Sequence, residues 1–223
     1  MNFLAHCLIG ADAGSSAAES NPETLADPLS DMMIVGGFLG DFIKGRVPAE
    51  FPPPLATGVR LHRRVDAYSN QQAAIRTSCD RFPKPLRRIA PILVDIIADH
   101  MLARHWMRYH DSSLPMFTSR TYRLIGEHQQ WLPEHGLRFL TYMEEVDLLA
   151  SYADWQVLVR AMRSITRRLN KPELNAIMEA TVAEILEDLE ADFHIYFPDI
   201  LSHARDWVRE NPPLEVPGNV QPS

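Results

Sequence analysis

Cysteines, glycine-based motifs and long apolar runs are all scarce in this sequence of 223 residues. Its two cysteines, Cys7 and Cys79, exclude the disulfide framework of a small secreted domain and favour a reduced setting. Neither has a basic partner in sequence that marks a thiol nucleophile. The chain also lacks G-x-S-x-G, C-x-x-C and a glycine-rich phosphate loop, which excludes the usual sequence signatures of serine hydrolases, thiol redox proteins and P-loop nucleotidases.

The sequence also lacks an excess of basic residues: it has 22 lysines and arginines and 29 acidic residues, and its formal net charge is −7. A chain of this charge is not built to coat nucleic acid or an anionic membrane. The apolar stretch at residues 1–10 is short and lacks a basic segment, so it resembles neither a signal peptide nor a membrane span. We therefore expect a cytoplasmic protein without nucleic acid or membrane among its partners.

Apolar residues at helical spacing are what the sequence does contain. In the second half, Leu174, Met178 and Val182 belong to a series that recurs at three- and four-residue steps. No segment alternates between apolar and polar residues as a half-buried strand would. The pattern predicts an all-α fold, a single compact bundle of six to nine helices within residues 1–210.

Two segments carry no helical signal. Residues 11–30 are small and polar without periodicity, which predicts a surface loop. Residues 211–223 are rich in proline and predict a C-terminal tail. A run of three prolines at residues 52–54 cannot lie inside a helix, so the next helix is expected to begin near residues 55–58.

Residues 58–106 contain acids at helical spacing inside an otherwise apolar sequence. His62 and Asp66 are four residues apart, and so are Asp95 and Asp99, so each pair shares one face of its predicted helix. Burying such groups without partners is costly. A bound metal ion would remove that cost, and the stretch therefore predicts a metal site.

Three further residues fit the same chemistry. His100 lies in the most apolar predicted helix, Asp41 has apolar neighbours, and His6 lies in the N-terminal helix. Imidazole and carboxylate ligands without cysteine suit Mn²⁺, Fe²⁺ or Zn²⁺. The alternatives stay open, since each acid can pair with a neighbouring cation and His6 can be a core histidine bonded to the backbone. The other histidines are interpreted as packing residues, such as His105, or as surface residues, such as His194.

Although the chain as a whole is acidic, it contains a local cluster of basic residues. Arg60, Arg63 and Arg64 occur within five residues of one predicted helix, and Lys44 and Arg88 lie close to the other candidate positions in sequence. Guanidinium groups match phosphate oxygens, which indicates an anion site. The alternative is a solvated basic face whose arginines form internal salt bridges.

Four motifs follow one another along the first half of the chain. They are MNFLAH at residues 1–6, GDFIKG at 40–45, GVRLHRRVD at 58–66 and RRIAP with DHMLARHW at 87–106. Together they resemble the acyl carrier protein phosphodiesterases, which are similar to HD-domain metallophosphohydrolases in being helical and metal-dependent. The resemblance is dense in the first half and rests on the helical pattern alone in the second. Residues 11–33 depart from it as an insertion.

The resemblance implies hydrolysis of the phosphodiester that joins 4′-phosphopantetheine to a serine of holo acyl carrier protein. The products are the apo carrier protein and free 4′-phosphopantetheine, and the implied cofactor is a divalent metal, usually Mn²⁺. The expected residues are the metal ligands His6, Asp41, His62, Asp99 and His100, the acid–base or supporting residues Asp66 and Asp95, and the substrate-binding residues Lys44, Arg60, Arg63, Arg64 and Arg88.

Two other functions are compatible with the sequence. One is an HD-type phosphohydrolase acting on a nucleotide or an alarmone, which predicts a closed pocket with aromatic stacking partners. The other is a helical interaction protein without enzymatic activity, whose acids and histidines are only buried pairs. A carrier-protein substrate instead predicts an open groove with a basic rim. Nothing in the sequence indicates an oligomeric state.

Overall fold

The protein is all-α in the computed structural model, which describes residues 1–20 and 26–213. This confirms the predicted fold class, although the described chain forms ten α-helices rather than six to nine. The helices are α1 (Phe3–Ser20), α2 (Ala26–Leu39), α3 (Pro53–Ser69), α4 (Ala73–Asp80), α5 (Ala90–Arg104), α6 (Leu114–Glu127), α7 (Glu134–Glu145), α8 (Leu148–Ser151), α9 (Trp155–Arg168) and α10 (Asn175–Glu210).

Prolines set several helix starts. Pro53 and Pro54 occupy the first turn of α3, and Pro91 occupies the first turn of α5. The first turn has no intrahelical acceptor for its N–H groups, so a residue without an N–H and with a fixed φ is tolerated there. For this reason α3 begins two residues before the predicted range of 55–58.

The surface loop predicted at residues 11–30 is wrong over its described part. Residues 11–20 continue α1 and residues 26–30 begin α2, while residues 21–25 lie outside the described residues. The small residues serve helix packing instead: a Cβ on Gly14 would lie 2.8 Å from the Cα of Ser30. Small side chains let two backbones approach, and a sequence pattern does not separate that use from loop formation.

The end of the chain matches its prediction as far as it is described. α10 ends at Glu210, and residues 211–213 follow it without helical structure. The remainder of the predicted tail, residues 214–223, lies outside the described residues.

Helices α1, α2 and α3 form a closely packed layer in which α2 contacts both of the others. The contact between α2 and α3 runs through two glycines, because a Cβ on Gly36 would lie 2.6 Å from the Cα of Gly58. Any side chain at either position would push the two helices apart. This close approach brings residues of α1 and α3 to the two sides of the C-terminal end of α2.

The 36-residue helix α10 is the scaffold of the second half. It contacts α1, α3, α4, α5 and α9, and its buried side chains, such as Phe193 and Phe197, belong to the hydrophobic core of the described residues. It is one continuous helix that contains Pro198. Of the helices in the described ranges, none combines the length and apolarity needed to cross a membrane.

Candidate metal centre

Two histidines and one aspartate from α1 and α3 meet at the layer of the first three helices. His6 lies on α1, and His62 and Asp66 lie one turn apart on α3. One ligand atom from each lies within 4.8 Å of the others. Nε2 of His6 is 3.1 Å from Oδ1 of Asp66, and Nε2 of His62 is 3.4 Å from Oδ2. We call these three residues the α1–α3 centre.

The orientation of His62 is fixed by the backbone of α2. Its Nδ1 donates a hydrogen bond to the carbonyl oxygen of Gly37 at 2.8 Å. A carbonyl oxygen only accepts, so Nδ1 carries a proton, and when the ring holds only that proton the lone pair on Nε2 faces Asp66. A lone pair and a carboxylate oxygen directed at one region form an arrangement that a cation stabilises.

Gly40, just after the end of α2, packs against the same His62 ring. A Cβ on Gly40 would lie 2.2 Å from Cγ of His62, so only glycine leaves room for the imidazole at this end of α2. The rings of His6 and His62 then stack, with centroids 3.8 Å apart and planes 24° apart. The sequence GDFIKG therefore has a structural role at its first residue, which spacing alone does not reveal.

The electrostatics of the α1–α3 centre favour metal binding. Burial lowers the pKa of His6 to about 3, with a further lowering by neighbouring His62, so the ring is neutral at physiological pH. Burial by itself would raise the pKa of Asp66, but the close contacts with His6 and His62 outweigh it and hold the pKa below its usual value. Neutral imidazoles and an ionised carboxylate are the metal-binding forms of these groups. The Asp66 side chain is 44% exposed, so the centre opens to solvent.

Asp41 lies beside the centre without belonging to the group of three. Its pKa is raised by burial; the charge of Asp66 adds to this, while His62 and Lys44 oppose it. The GDFIKG motif thus places a half-buried carboxyl group with a raised pKa next to the predicted ligands. Such a group can hold a proton closer to neutral pH than a solvated aspartate does.

Asp99 and His100, predicted as ligands, are not brought into the centre. The carboxylate of Asp99 is fully buried and accepts hydrogen bonds from the backbone N–H groups of Leu4 at 3.0 Å and Ala5 at 2.9 Å. It therefore satisfies the free donors at the start of α1, just before His6. Burial raises the pKa of Asp99 to about 7, against the lowering by these two hydrogen bonds. His100 donates from Nδ1 to the carbonyl oxygen of Tyr152 at 2.7 Å.

Asp95 lies at the rim of the centre. Its Oδ1 is 2.9 Å from the amino group of Met1, and that amino group is also 3.6 Å from Oδ1 of Asp66. The two residues predicted for acid–base or supporting roles are thus linked through one cation. Asp95 thus neighbours the α1–α3 centre, whereas Asp66 belongs to it.

The predicted substrate-binding cations divide into two groups. Arg63 donates to the carbonyl oxygen of Ile43 at 2.7 Å and so holds the segment that follows Asp41. Arg60 and Arg63, together with Arg46, line a cavity of about 550 Å³. Arg46 was not among the predicted substrate-binding cations, because it lies between α2 and α3 and outside any periodic segment.

The remaining cations have different surroundings. Arg64 contacts Nε2 of His203 on α10 at 3.1 Å, and the His203 ring stacks on Tyr68 at 3.7 Å between centroids. Lys44 and Arg88 are exposed. Lys44 lies within electrostatic range of Asp41, so it is the exposed cation that the structure connects with the centre.

Comparison with known proteins extends over most of the chain. A family model described as acyl carrier protein phosphodiesterase matches residues 23–200. A protein of that name from Serratia proteamaculans is 30% identical over 209 residues, which cover 92% of this chain and 98% of the relative. One from Yersinia pestis is 26% identical, with coverage of 92% and 98%. An Escherichia coli relative of the same name is 26% identical, with coverage of 92% and 97%. No solved structure matches.

Proposed function

Because the chain belongs to the acyl carrier protein phosphodiesterase family, we propose that it hydrolyses the phosphodiester of holo acyl carrier protein. The protein is thus a phosphodiesterase that removes 4′-phosphopantetheine and leaves the apo carrier protein. The observation that carries this proposal is the α1–α3 centre, in which His6, His62 and Asp66 lie within 4.8 Å of one another.

The residues of the centre fit a divalent ion. Two imidazoles and a carboxylate supply three ligand atoms, and the opening beside Asp66 leaves room for water and substrate. Mixed nitrogen and oxygen ligands are compatible with Mn²⁺, which is the ion we propose. Such an ion would supply a water of lowered pKa and positive charge for the phosphoryl oxygens.

The chain itself provides the proton and the orientation. In the reaction a water oxygen bonds to phosphorus while the bond from phosphorus to the serine oxygen breaks. The departing serine oxygen needs a proton, and Asp41, with its raised pKa beside the centre, is the group suited to donate it. Asp95 and the amino group of Met1 flank Asp66 and hold its carboxylate in place. His62 keeps its orientation through Gly37.

The substrate side of the centre is open and partly basic. A phosphodiester attached to a folded protein can reach only an exposed centre, and Asp66 is 44% exposed. Arg46, Arg60 and Arg63 line the cavity at the N-terminal half of α3, which is the helix that carries the centre. Carrier proteins are typically acidic, so this cavity and Lys44 form a suitable docking rim, with Arg64 and Arg88 as further contacts.

The test is incubation of holo acyl carrier protein with the purified enzyme and Mn²⁺, followed by intact-mass measurement. The wild type and the control variant His128→Ala are expected to convert holo to apo carrier protein. His62→Ala is expected to leave the holo form intact. An unchanged carrier protein with the wild type, together with turnover of nucleotides in a parallel assay, would overturn the proposal and assign the centre to nucleotide hydrolysis.

A further inference from the structure

A second group of two histidines and one acid lies where α5 ends against α10. His105 follows the last residue of α5, and Glu190 and His194 are one turn apart on α10. One ligand atom of each lies within 4.8 Å of the others. The rings of His105 and His194 meet edge to face, with centroids 4.8 Å apart. We call these three residues the α5–α10 centre.

The contact between His105 and Glu190 is close without being a hydrogen bond. Nε2 of His105 lies 2.9 Å from Oε1 of Glu190, yet this buried nitrogen has no hydrogen-bond partner within the described part of the chain. The distance of 2.9 Å would allow a hydrogen bond, so the direction of the N–H bond must be what prevents one. A ring nitrogen and a carboxylate oxygen that lie this close without a hydrogen bond between them have the arrangement of two ligands that share a metal ion.

The neighbours of the group orient it further. The hydroxyl of Tyr109 lies 2.8 Å from Nδ1 of His194, which leaves Nε2 of that ring available. Arg104 lies 3.3 Å from Oε2 of Glu190, and the other carboxylate oxygen, Oε1, faces His105. A partner on the second ring nitrogen of a ligating histidine is a common feature of metal sites.

We propose that the α5–α10 centre binds Zn²⁺ and clamps the end of α5 to α10. Two imidazoles and one carboxylate are a common zinc ligand set, with a fourth position for water or an anion. A cavity of about 460 Å³ adjoins His105 and is lined by Arg104 and Arg108, so a negatively charged fourth ligand has both space and charge complementarity. Such a ligand would offset the repulsion between the two arginines and the ion.

This site is separate from the α1–α3 centre. Asp95, at the rim of the α1–α3 centre, and His105 are ten residues apart along α5, which corresponds to about 15 Å. The two centres share no residue. Zinc binding at the α5–α10 centre is therefore independent of the phosphodiesterase proposal and can be tested with the catalytic metal site removed.

The experiment starts from the full-length His62→Ala variant, freed of metal by a chelator and then dialysed against low micromolar Zn²⁺ alone. Zinc per protein is measured by elemental analysis, and the melting temperature is recorded with and without Zn²⁺. We expect about one bound zinc and a rise in Tm on its addition, because an ion that binds only the folded state stabilises it.

A second variant, His62→Ala with His194→Ala, should bind no zinc and show no rise in Tm. A matched variant, His62→Ala with His128→Ala, should behave as His62→Ala alone. Far-ultraviolet circular dichroism checks that each variant is folded, and Glu190→Gln in the same background, which keeps the side-chain shape, should weaken zinc binding by at least about tenfold. The proposal is overturned if His62→Ala binds no zinc, or if removing His194 leaves zinc binding unchanged.

Discussion

The α1–α3 centre and the α5–α10 centre contain the same ligand types in different surroundings. In the α1–α3 centre both imidazoles are buried, with His6 2% and His62 5% exposed, whereas the His105 side chain is 30% exposed. A backbone carbonyl fixes His62, while a tyrosine hydroxyl contacts His194. The acid of the α1–α3 centre contacts two imidazoles and an amino group, but Glu190 is paired with Arg104.

We infer that the difference in surroundings suits these two similar groups to different purposes. Catalysis requires ligands held close to one geometry, and the close contact of Gly40 restricts the ring of His62. An arginine beside the acid reduces the attraction for a cation, which suits a structural ion held between two helices better than a reactive one. Burial and backbone support distinguish the two centres, and ligand identity does not.

The largest effect should come from removing one histidine from each centre in turn. His62→Ala is expected to lower phosphodiesterase activity with Mn²⁺ by at least about 100-fold, because it removes a direct ligand. His194→Ala should keep activity within about twofold, since its centre lies about 15 Å away. Conversion of holo to apo carrier protein over time measures both. Equal losses in the two variants would show that the comparison is wrong and that the two centres act together.

Gly40→Ala tests whether rigid support is what makes the α1–α3 centre catalytic. The added Cβ would lie 2.2 Å from Cγ of His62, so the ring must move. A displacement of about 1 Å is expected to reduce kcat roughly 10- to 100-fold. Overpacking should also lower the free energy of unfolding by about 1–3 kcal/mol. Enzyme assays and urea unfolding measure the two effects.

Gly126→Ala is the matched control, because a Cβ there meets no atom within 4 Å of the described structure. It lies near the end of α6, where alanine is preferred over glycine, so stability should rise by up to about 1 kcal/mol with unchanged activity. If Gly40→Ala resembles Gly126→Ala in both assays, His62 has more freedom than the packing indicates.

The sequence predicted the helical fold well because helical periodicity repeats throughout the chain. It failed at residues 11–20 and 26–30, where Gly14 and its small neighbours were interpreted as a loop. Small residues allow both loops and tight helix contacts, and only the partner across the contact, here Ser30, decides between them. The motif resemblance did not correct this, since the segment departs from the family pattern.

The candidate site was predicted in part. Spacing placed His62 and Asp66 on one helix face, and the structure brings both to His6. The same argument was applied to Asp99, but its partners are backbone N–H groups of α1, and no spacing rule within α5 reveals a helix end contributed by another segment. His105 and His194 were interpreted as packing and surface residues. Glu190 and His194 are four residues apart, but His105 lies 85 positions before Glu190 in sequence, so no spacing rule joins the three.

Asp99→Asn sharpens the boundary of the α1–α3 centre. An asparagine accepts with one oxygen but turns its NH₂ group toward the other N–H, so a buried donor loses its partner. The free energy of unfolding should fall by about 1–3 kcal/mol, while metal per protein stays unchanged. The exposed control Asp80→Asn should change stability by less than about 0.5 kcal/mol. Loss of bound metal in Asp99→Asn at saturating Mn²⁺ would instead return Asp99 to the ligand set.

The same variant gives a pH-dependent readout. Burial raises the pKa of Asp99 to about 7 in the folded protein, above its unfolded value of about 4. The folded state therefore binds the proton more tightly, and the stability contributed by this group declines as pH rises from about 4 to about 7. The stability difference between wild type and Asp99→Asn should accordingly narrow over that range. A difference that stays constant between pH 5 and pH 7 would mean that Asp99 is ionised throughout this range.

The smallest expected effect concerns the support of the α5–α10 centre. Tyr109→Phe removes the hydroxyl 2.8 Å from Nδ1 of His194 and leaves the three ligands in place. Loss of an orienting partner typically weakens metal binding by roughly tenfold, so zinc affinity in the His62→Ala background should fall by about that factor while stoichiometry stays at one. Tyr142→Phe, at a side chain 51% exposed, is the control and should leave zinc affinity unchanged. Since Tyr109 takes the place that the Gly37 carbonyl has for His62, an unchanged affinity in Tyr109→Phe would mean that this centre lacks the orienting support found in the α1–α3 centre.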